Sequence, residues 1–228
     1  MMNRIAAYTT PRTDVCALVP DTAQVVLDLG CSDGSLGVAL KHHRPSRRVC
    51  GIEYSANLVN TAATRLDKVI LGDLNQPDCL AQFTGETFDC IVAADVLEHL
   101  VAPENLLQYL SNFLAEDGSL VISMPNIRHH SALFSIYISG TFPRRERGIF
   151  DSTHLRWFTL KDARQLLQSA GIYVVAESYT LRVGDRGGGL INRAVQRYLG
   201  PFAPFAPLRE FIAYQYVLRA KYSPIGHS

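Results

Sequence analysis

Four acidic residues, each closing a short apolar run, carry the spacing in this chain that could do chemistry. The first, Asp28, lies in VVLDLGCSDGSLGVALK, Val25 to Lys41, where an apolar strand passes through Gly30 and Gly34 into an amphipathic helix. A strand–turn–helix of this shape presents backbone N–H groups and a helix N-terminus to a nucleotide-like ligand. The residues themselves weaken one common ligand and exclude another. A dinucleotide pattern G-x-G-x-x-G begun at Gly30 needs glycines at 32 and 35, where the chain has Ser32 and Ser35. A Walker phosphate loop needs a G-K-[ST] ending that is absent here. What remains is an acid at a strand end above two turn glycines. Such an acid repels a pyrophosphate and suits a ligand carrying an ammonium group, while Gly30 and Gly34 let the backbone pass close beneath it.

The next acids extend the pattern. Glu53 ends the second apolar run, 23 residues after Gly30, where a carboxylate can accept both hydrogen bonds of a ribose diol. Asp73 follows the third run, placed to accept from an adenine amino group. Asp95 follows the fourth, either to meet the ligand's amino-acid end or simply to terminate the strand. Acids at four successive strand ends specify an adenosine with a cationic amino-acid tail, and S-adenosylmethionine is that molecule. The series DLGCSDG, GIEYS, LGDLN, FDCIVAADVLEHL and LAEDGSLVISMPN resembles the class I S-adenosylmethionine-dependent methyltransferases from Val25 to about Asn126. The later GIFDSTHLRWFTLKDARQLLQSAGI and the early YTTPR, Tyr8–Arg12, are similar to a branch of that superfamily met in bacterial sugar, glycan and small-molecule pathways. The resemblance implies S-adenosyl-L-methionine as cofactor and S-adenosyl-L-homocysteine as product. It implies Asp28, Gly30, Gly34, Glu53, Asp73 and Asp95 at the cofactor, with the N-terminal segment 1–22 closing over it through Tyr8 and Arg12. The family's loop commonly reads D-x-G-x-G-x-G, and Ser32 departs from it.

Methyl transfer from a sulfonium is an in-line displacement with an activated donor, so the protein must chiefly align the nucleophile and exclude water. A hydroxyl acceptor must also lose a proton, and imidazole titrates near neutrality. The candidate bases are His99, four residues beyond Asp95, and the later His129, His130 and His154. The His154-Leu155-Arg156 stretch could equally join a lid to the core. These histidines show no metal-ligand spacing, so no metal is expected. Arg144, Arg145 and Arg147 read either as a solvated loop or as a contact to an acceptor's phosphate or carboxylate. The expected reaction is O-methylation of a small-molecule or sugar/glycan acceptor. N- or C-methylation of a small metabolite, or a non-catalytic S-adenosylmethionine-binding module, are the alternatives, because the donor-binding acids say nothing of the acceptor.

Positioning these groups requires a sheet. Apolar runs at Val25–Leu29, Arg48–Glu53, Lys68–Leu71, Phe88–Ala93 and Ser119–Met124 alternate with helical stripes, which predicts a Rossmann-like α/β fold. The sheet should be seven-stranded and mostly parallel, with helices on both faces and an antiparallel C-terminal strand. One stripe runs Leu58, Ala62, Leu66. A second runs Leu106, Leu107, Leu110, Phe113, Leu114, with Pro103 in its first turn. A third covers Leu160, Ala163, Leu166, Leu167 and Ala170, with Thr159 as N-cap and Gly171 as C-terminal stop. Two more strands are predicted at Tyr173–Tyr179 and Phe211–Lys221, the latter near a sheet edge. The stretch 126–158 has no clean period and is expected to be a substrate lid inserted over the carboxyl ends of the strands.

The 228 residues, 47% hydrophobic and 19% charged, suit a single domain with a real core. A net charge of +1 gives no reason to expect nucleic acid as partner. Five scattered cysteines without a C-x-x-C pair read as reduced and buried. No signal peptide and no membrane-spanning run are evident, so a soluble cytoplasmic protein is expected. The Phe- and Pro-rich 201–208 stretch is a candidate surface for a homodimer.

Overall fold

The computed structural model describes residues 12–182 and 206–223. Strands β1 (Val25–Leu29), β2 (Arg48–Glu53), β3 (Lys68–Leu71), β4 (Phe88–Ala94), β5 (Leu114–Pro125), β6 (Ile172–Leu181) and β7 (Ala213–Tyr222) form one sheet in the order β3-β2-β1-β4-β5-β7-β6. Strands β1 to β5 pair in parallel, and β7 runs antiparallel to both β5 and β6. Strand order reverses between β1 and β4. That reversal opens a crevice outside the carboxyl ends of these two strands, where open α/β sheets bind ligands.

The described helices are α1 (Thr13–Cys16), α2 (Ser35–His43), α3 (Ala56–Ala62), α4 (Pro103–Leu110), α5 (His130–Leu133), α6 (Leu160–Ser169) and α7 (Ala206–Ile212). Alternate strand residues face opposite ways, so each strand feeds two cores. Leu27, Leu29 and Ile52 pack with Leu106, Leu107 and Leu110 of α4 and with Leu160, Ala163 and Leu167 of α6. Val26, Val49 and Val92 pack with Leu36 and Leu40 of α2 and Ala62 of α3. Helices therefore cover both faces, as the unbroken apolar character of the strands requires. Thr159 caps α6 in a reciprocal box with Asp162, and Gly171 beyond that helix takes φ +73°.

Two predicted elements differ. The stripe reaching Leu114 ends at Leu110. Ser111 Oγ and Asn112 Nδ2 turn back to the carbonyls of Gln108 and Tyr109, at 2.7 and 3.1 Å, and compete with further helix. Leu114 instead opens β5. The strand predicted at Phe211–Lys221 begins at Ala213, because Phe211 and Ile212 complete α7. It lies near the sheet edge as expected, one strand in, with residues 213–218 all buried between β5 and the edge strand β6.

The segment 126–158 joins β5 to α6. It holds α5, a π-helical turn at Phe134–Ile138, and a bridge from Asn126 to Phe158. Such short pieces explain why no period could be read there. No helix among the described residues is long and apolar enough to cross a membrane.

Gly51 shows how closely β2 supports the loop after β1. A Cβ there would lie 2.5 Å from Cys31 Sγ and 2.8 Å from Cys31 Cβ. Gly51→Ala must push the loop outward and is expected to destabilise the fold by about 1–3 kcal/mol. A thermal melt should show a midpoint lowered by several degrees, and an unchanged midpoint would contradict this packing.

Candidate active site

The predicted acids converge on one edge of the sheet. Asp28, on β1, is 2% exposed, and its Oδ2 has no hydrogen-bond partner among the described residues. Burial, and next the Glu53 carboxylate, push its pKa up to about 8, with Arg12 opposing. The following turn is left-handed at Gly30 (φ +68°), Ser32 (φ +50°) and Gly34 (φ +84°). Ser32 therefore adopts the conformation that a glycine would take more easily. It is held there by its backbone N–H, which donates to Glu53 Oε2 at 2.9 Å. Glu53 Oε1 accepts from the Ser55 N–H at 2.8 Å. Each carboxylate oxygen keeps a further lone pair for a ligand hydroxyl. Asp73 closes an Asx turn, its Oδ1 accepting from the Asn75 N–H at 2.9 Å and from Asn75 Nδ2 at 3.1 Å.

Asp95 and Arg12 are brought together, and they bind each other. Asp95 takes φ +57°, unusual for a residue with a side chain. Its Oδ2 accepts from Arg12 Nη1 at 2.5 Å, and its Oδ1 accepts from Ser123 Oγ at 2.9 Å and from Gln215 Nε2. Arg12 also donates to both oxygens of Asp14. One ionic network thus ties the N-terminal segment to β4, β5 and β7. Tyr8 lies outside the described residues.

The histidines separate. His129 is fully buried, with Nδ1 2.8 Å from Ser131 Oγ and Nε2 2.8 Å from the Arg182 carbonyl. Burial pushes its pKa down to about 4. With both ring nitrogens committed, it caps α5 and anchors the base of 126–158. The expectation of a base at His129 is therefore corrected. His130 Nδ1 lies 3.1 Å from the Phe211 carbonyl.

His99 and His154 do come together, their ring centroids 4.7 Å apart and edge-on. His154 is 5% exposed and its Nδ1 donates to the Ile149 carbonyl at 3.1 Å. Burial, then the neighbouring His99, lower its pKa. The half-buried His99 has Nδ1 within 3.2 Å of the Thr153 carbonyl. Beside these rings stands a residue that spacing did not reveal. Glu98 is fully buried, with neither carboxyl oxygen partnered among the described residues, and one lies 4.0 Å from His154 Nε2. Burial and then the Asp95 charge hold its pKa well above the usual carboxylate range. The only signal in the sequence was the adjacency of Glu98 and His99, which needs His154, 55 residues later, to acquire meaning.

Arg145 borders a separate open cleft of about 710 Å³ beside α5, lined by Leu133, Phe134, Tyr137, Ile138 and Phe211. Arg144 and Arg147 are exposed.

Asp28 gives this edge a pH signature. Its folded pKa of about 8 exceeds the unfolded carboxylate value near 4, so the folded state holds the extra proton between them. Its contribution to stability is full below about pH 4 and falls as pH rises to about 8. Asn does not titrate, so the melting temperature of Asp28→Asn relative to the parent should climb from pH 5 to pH 8. A constant difference would place the Asp28 pKa outside that window.

The methyltransferase-domain family model matches residues 4–177. Trans-aconitate 2-methyltransferase of Azoarcus sp. (strain BH72) is 34% identical over 113 residues, covering 49% of this chain and 44% of that protein. The mitochondrial ubiquinone biosynthesis O-methyltransferase of Bos taurus is 31% identical over 135 residues, covering 55% and 36%. The chain thus spans less than half the length of these two relatives. Magnesium protoporphyrin IX methyltransferase from Synechocystis PCC 6803, solved with bound S-adenosylhomocysteine, shares the fold. Its TM-score is 0.61 at 19% identity, covering 96% of this chain and 84% of that one. With 174 of 228 residues inside the family model and the sheet order, loop and strand-end acids in place, the chain belongs to the methyltransferase-domain family.

Proposed function

We propose that this chain transfers a methyl group from S-adenosylmethionine to a hydroxyl oxygen of a small molecule. The residues at the β1–β4 edge fit that cofactor. An ammonium group satisfies the orphaned Oδ2 of Asp28 and draws the proton off its carboxyl. Gly30, at φ +68° and with Val96 Cγ2 3.1 Å from where a Cβ would stand, lets the chain turn tightly beneath such a ligand. Glu53 has lone pairs remaining for a ribose diol, and Asp73 stands at the next strand end for the adenine amino group. The Arg12–Asp95 pair borders the amino-acid end, with Tyr8 in the same closing segment. When bound, the cofactor supplies an electrophilic methyl on a sulfonium sulfur.

The observation that carries the hydroxyl reading is the Glu98, His99 and His154 cluster just beyond β4. A sulfonium methyl needs only a nucleophile in line, but a hydroxyl must also shed its proton. This cluster is where proton-handling groups gather beside the cofactor acids. The residue types fit oxygen acceptors, and three relatives with O-methyltransferase in their printed names point the same way. Segment 126–158, anchored at both ends, is the wall against which the acceptor is aligned and shielded from water.

Two measurements test this reading. Glu53→Gln should weaken S-adenosylhomocysteine binding by about 10–100-fold in a calorimetric titration, the loss expected of hydrogen bonds to a charged group. Undiminished affinity would remove Glu53 from the site. With methyl-¹³C-labelled cofactor and a panel of phenols, hydroxy acids and sugars, the labelled product should carry the methyl on oxygen by NMR. His99→Ala should then lower kcat by about 10²–10⁴-fold without weakening S-adenosylhomocysteine binding. Label on nitrogen or carbon would overturn the hydroxyl reading.

A further inference from the structure

We propose that Glu98, His99 and His154 together bind a first-row divalent metal ion beyond the carboxyl end of β4. One donor atom from each residue lies within 4.8 Å of the others. Two donors about 2.1 Å from one ion sit about 3.0–3.4 Å apart. The three side chains therefore need shifts on the order of an ångström, not a rearrangement of the backbone.

Three independent features make this a built site. The first is the carboxyl of Glu98, fully buried with both oxygens unpartnered among the described residues. Buried polar groups are almost always satisfied, so an orphan of this kind requires an explanation. Kept protonated, the carboxyl would need an acceptor, yet His154 Nε2 at 4.0 Å is beyond hydrogen-bond reach. A cation satisfies it directly.

The second feature is the state of the two imidazoles. His154 Nδ1 bonds the Ile149 carbonyl at 3.1 Å, and His99 Nδ1 lies 3.2 Å from the Thr153 carbonyl. A ring that donates through Nδ1 to a carbonyl is fixed in orientation, with its Nε2 lone pair available. Metal-ligating histidines characteristically show this arrangement.

The third is the frame. The Leu155 and Arg156 N–H groups both donate to the Glu98 carbonyl, at 2.9 and 3.3 Å. Thr153 Oγ1 donates to Asp151 Oδ1 at 2.6 Å. The two peptide segments that carry the ligands are thereby clamped to each other.

Two imidazoles and one carboxylate suit zinc, iron(II), cobalt(II), nickel(II) or manganese(II) better than calcium or magnesium. Three protein ligands also leave coordination positions open. Those positions suit an acceptor bearing a hydroxyl next to a second oxygen, as in a catechol, a 2-hydroxy acid or a vicinal diol. The role of the ion, though not its binding, rests on the methyl-transfer reading above. Held on the ion, the acceptor hydroxyl gives up its proton to solvent, as metal-held water does, and His99 then serves catalysis as a ligand of the ion and not as the base itself. Its oxygen electron pair forms the new C–O bond while the C–S bond of the sulfonium breaks. The products are a methyl ether, a thioether and one proton, with no change in oxidation state.

The test reads binding apart from turnover. Chelator-stripped protein, without cofactor or acceptor, is titrated with Co²⁺ and followed by visible absorption. One Co²⁺ per chain should bind with ligand-field bands and be displaced by one equivalent of Zn²⁺. His99→Ala, at a half-buried position, and Glu98→Gln should each weaken Co²⁺ binding at least tenfold. Unchanged far-UV circular dichroism and S-adenosylhomocysteine binding would confirm that both variants are folded. Failure of the parent to bind Co²⁺, or equal binding by both variants, overturns the site. Stoichiometric Co²⁺ with a methylation rate indifferent to chelation overturns the acceptor role alone. Co²⁺ binding by a chain that methylates no hydroxyl in the panel would leave the site standing and sink the functional reading instead.

Discussion

Carboxyl groups buried without a hydrogen-bonding partner are the constraint around which this edge of the molecule is arranged. Asp28 and Glu98 each place at least one oxygen where neither solvent nor a described donor reaches it. In such surroundings the ionised form is disfavoured, and both groups titrate above their ordinary range. A fold that keeps such groups loses stability when they are charged and regains it when a cation arrives, because whatever binds only the folded state stabilises it. The surrounding core makes this tolerable. Leu27 and Leu29 on one face of β1 and Val26 on the other are fully buried, fixing Asp28 between two packed layers.

The second determinant is the way neighbouring elements are tied at the strand ends. Asp95, in a strained left-handed conformation, collects Arg12, Ser123 and Gln215. Those residues come from the N-terminal segment, β5 and β7. The network holds the turn after β4, and that turn carries Glu98 and His99. Strain at Asp95 is thus offset by contacts from three other parts of the chain, the usual condition under which such a conformation persists.

Much of this was legible in the sequence. The strand ends at Glu53 and near Asp95, the glycine turn, the Thr159 cap and the doubly covered sheet all follow from local rules of period, capping and turn chemistry. The parts that escaped depend on longer-range facts. The bend after Leu110 turns on side chains of Ser111 and Asn112 competing for helix carbonyls. The late start of β7 depends on α7 running on to Ile212, which alternation within the strand cannot reveal. His129 reads like any other candidate base until both its nitrogens are found committed. Glu98 was invisible because its significance lies in what it lacks.

The contacts that clamp residues 151–156 to the turn after β4 also divide segment 126–158 into two parts of different character. Its heel, from Ile149 to Phe158, is fixed by Trp157 Nε1 to the Ile149 carbonyl and by the Leu155 bond to Glu98. Its arm carries Phe134, Tyr137 and Ile138, 59, 78 and 71% exposed. Residues in the arm can change in size and polarity while His154 and Glu98 keep their positions. The same segment thus joins a surface free to vary to a base that is held in place from both sides.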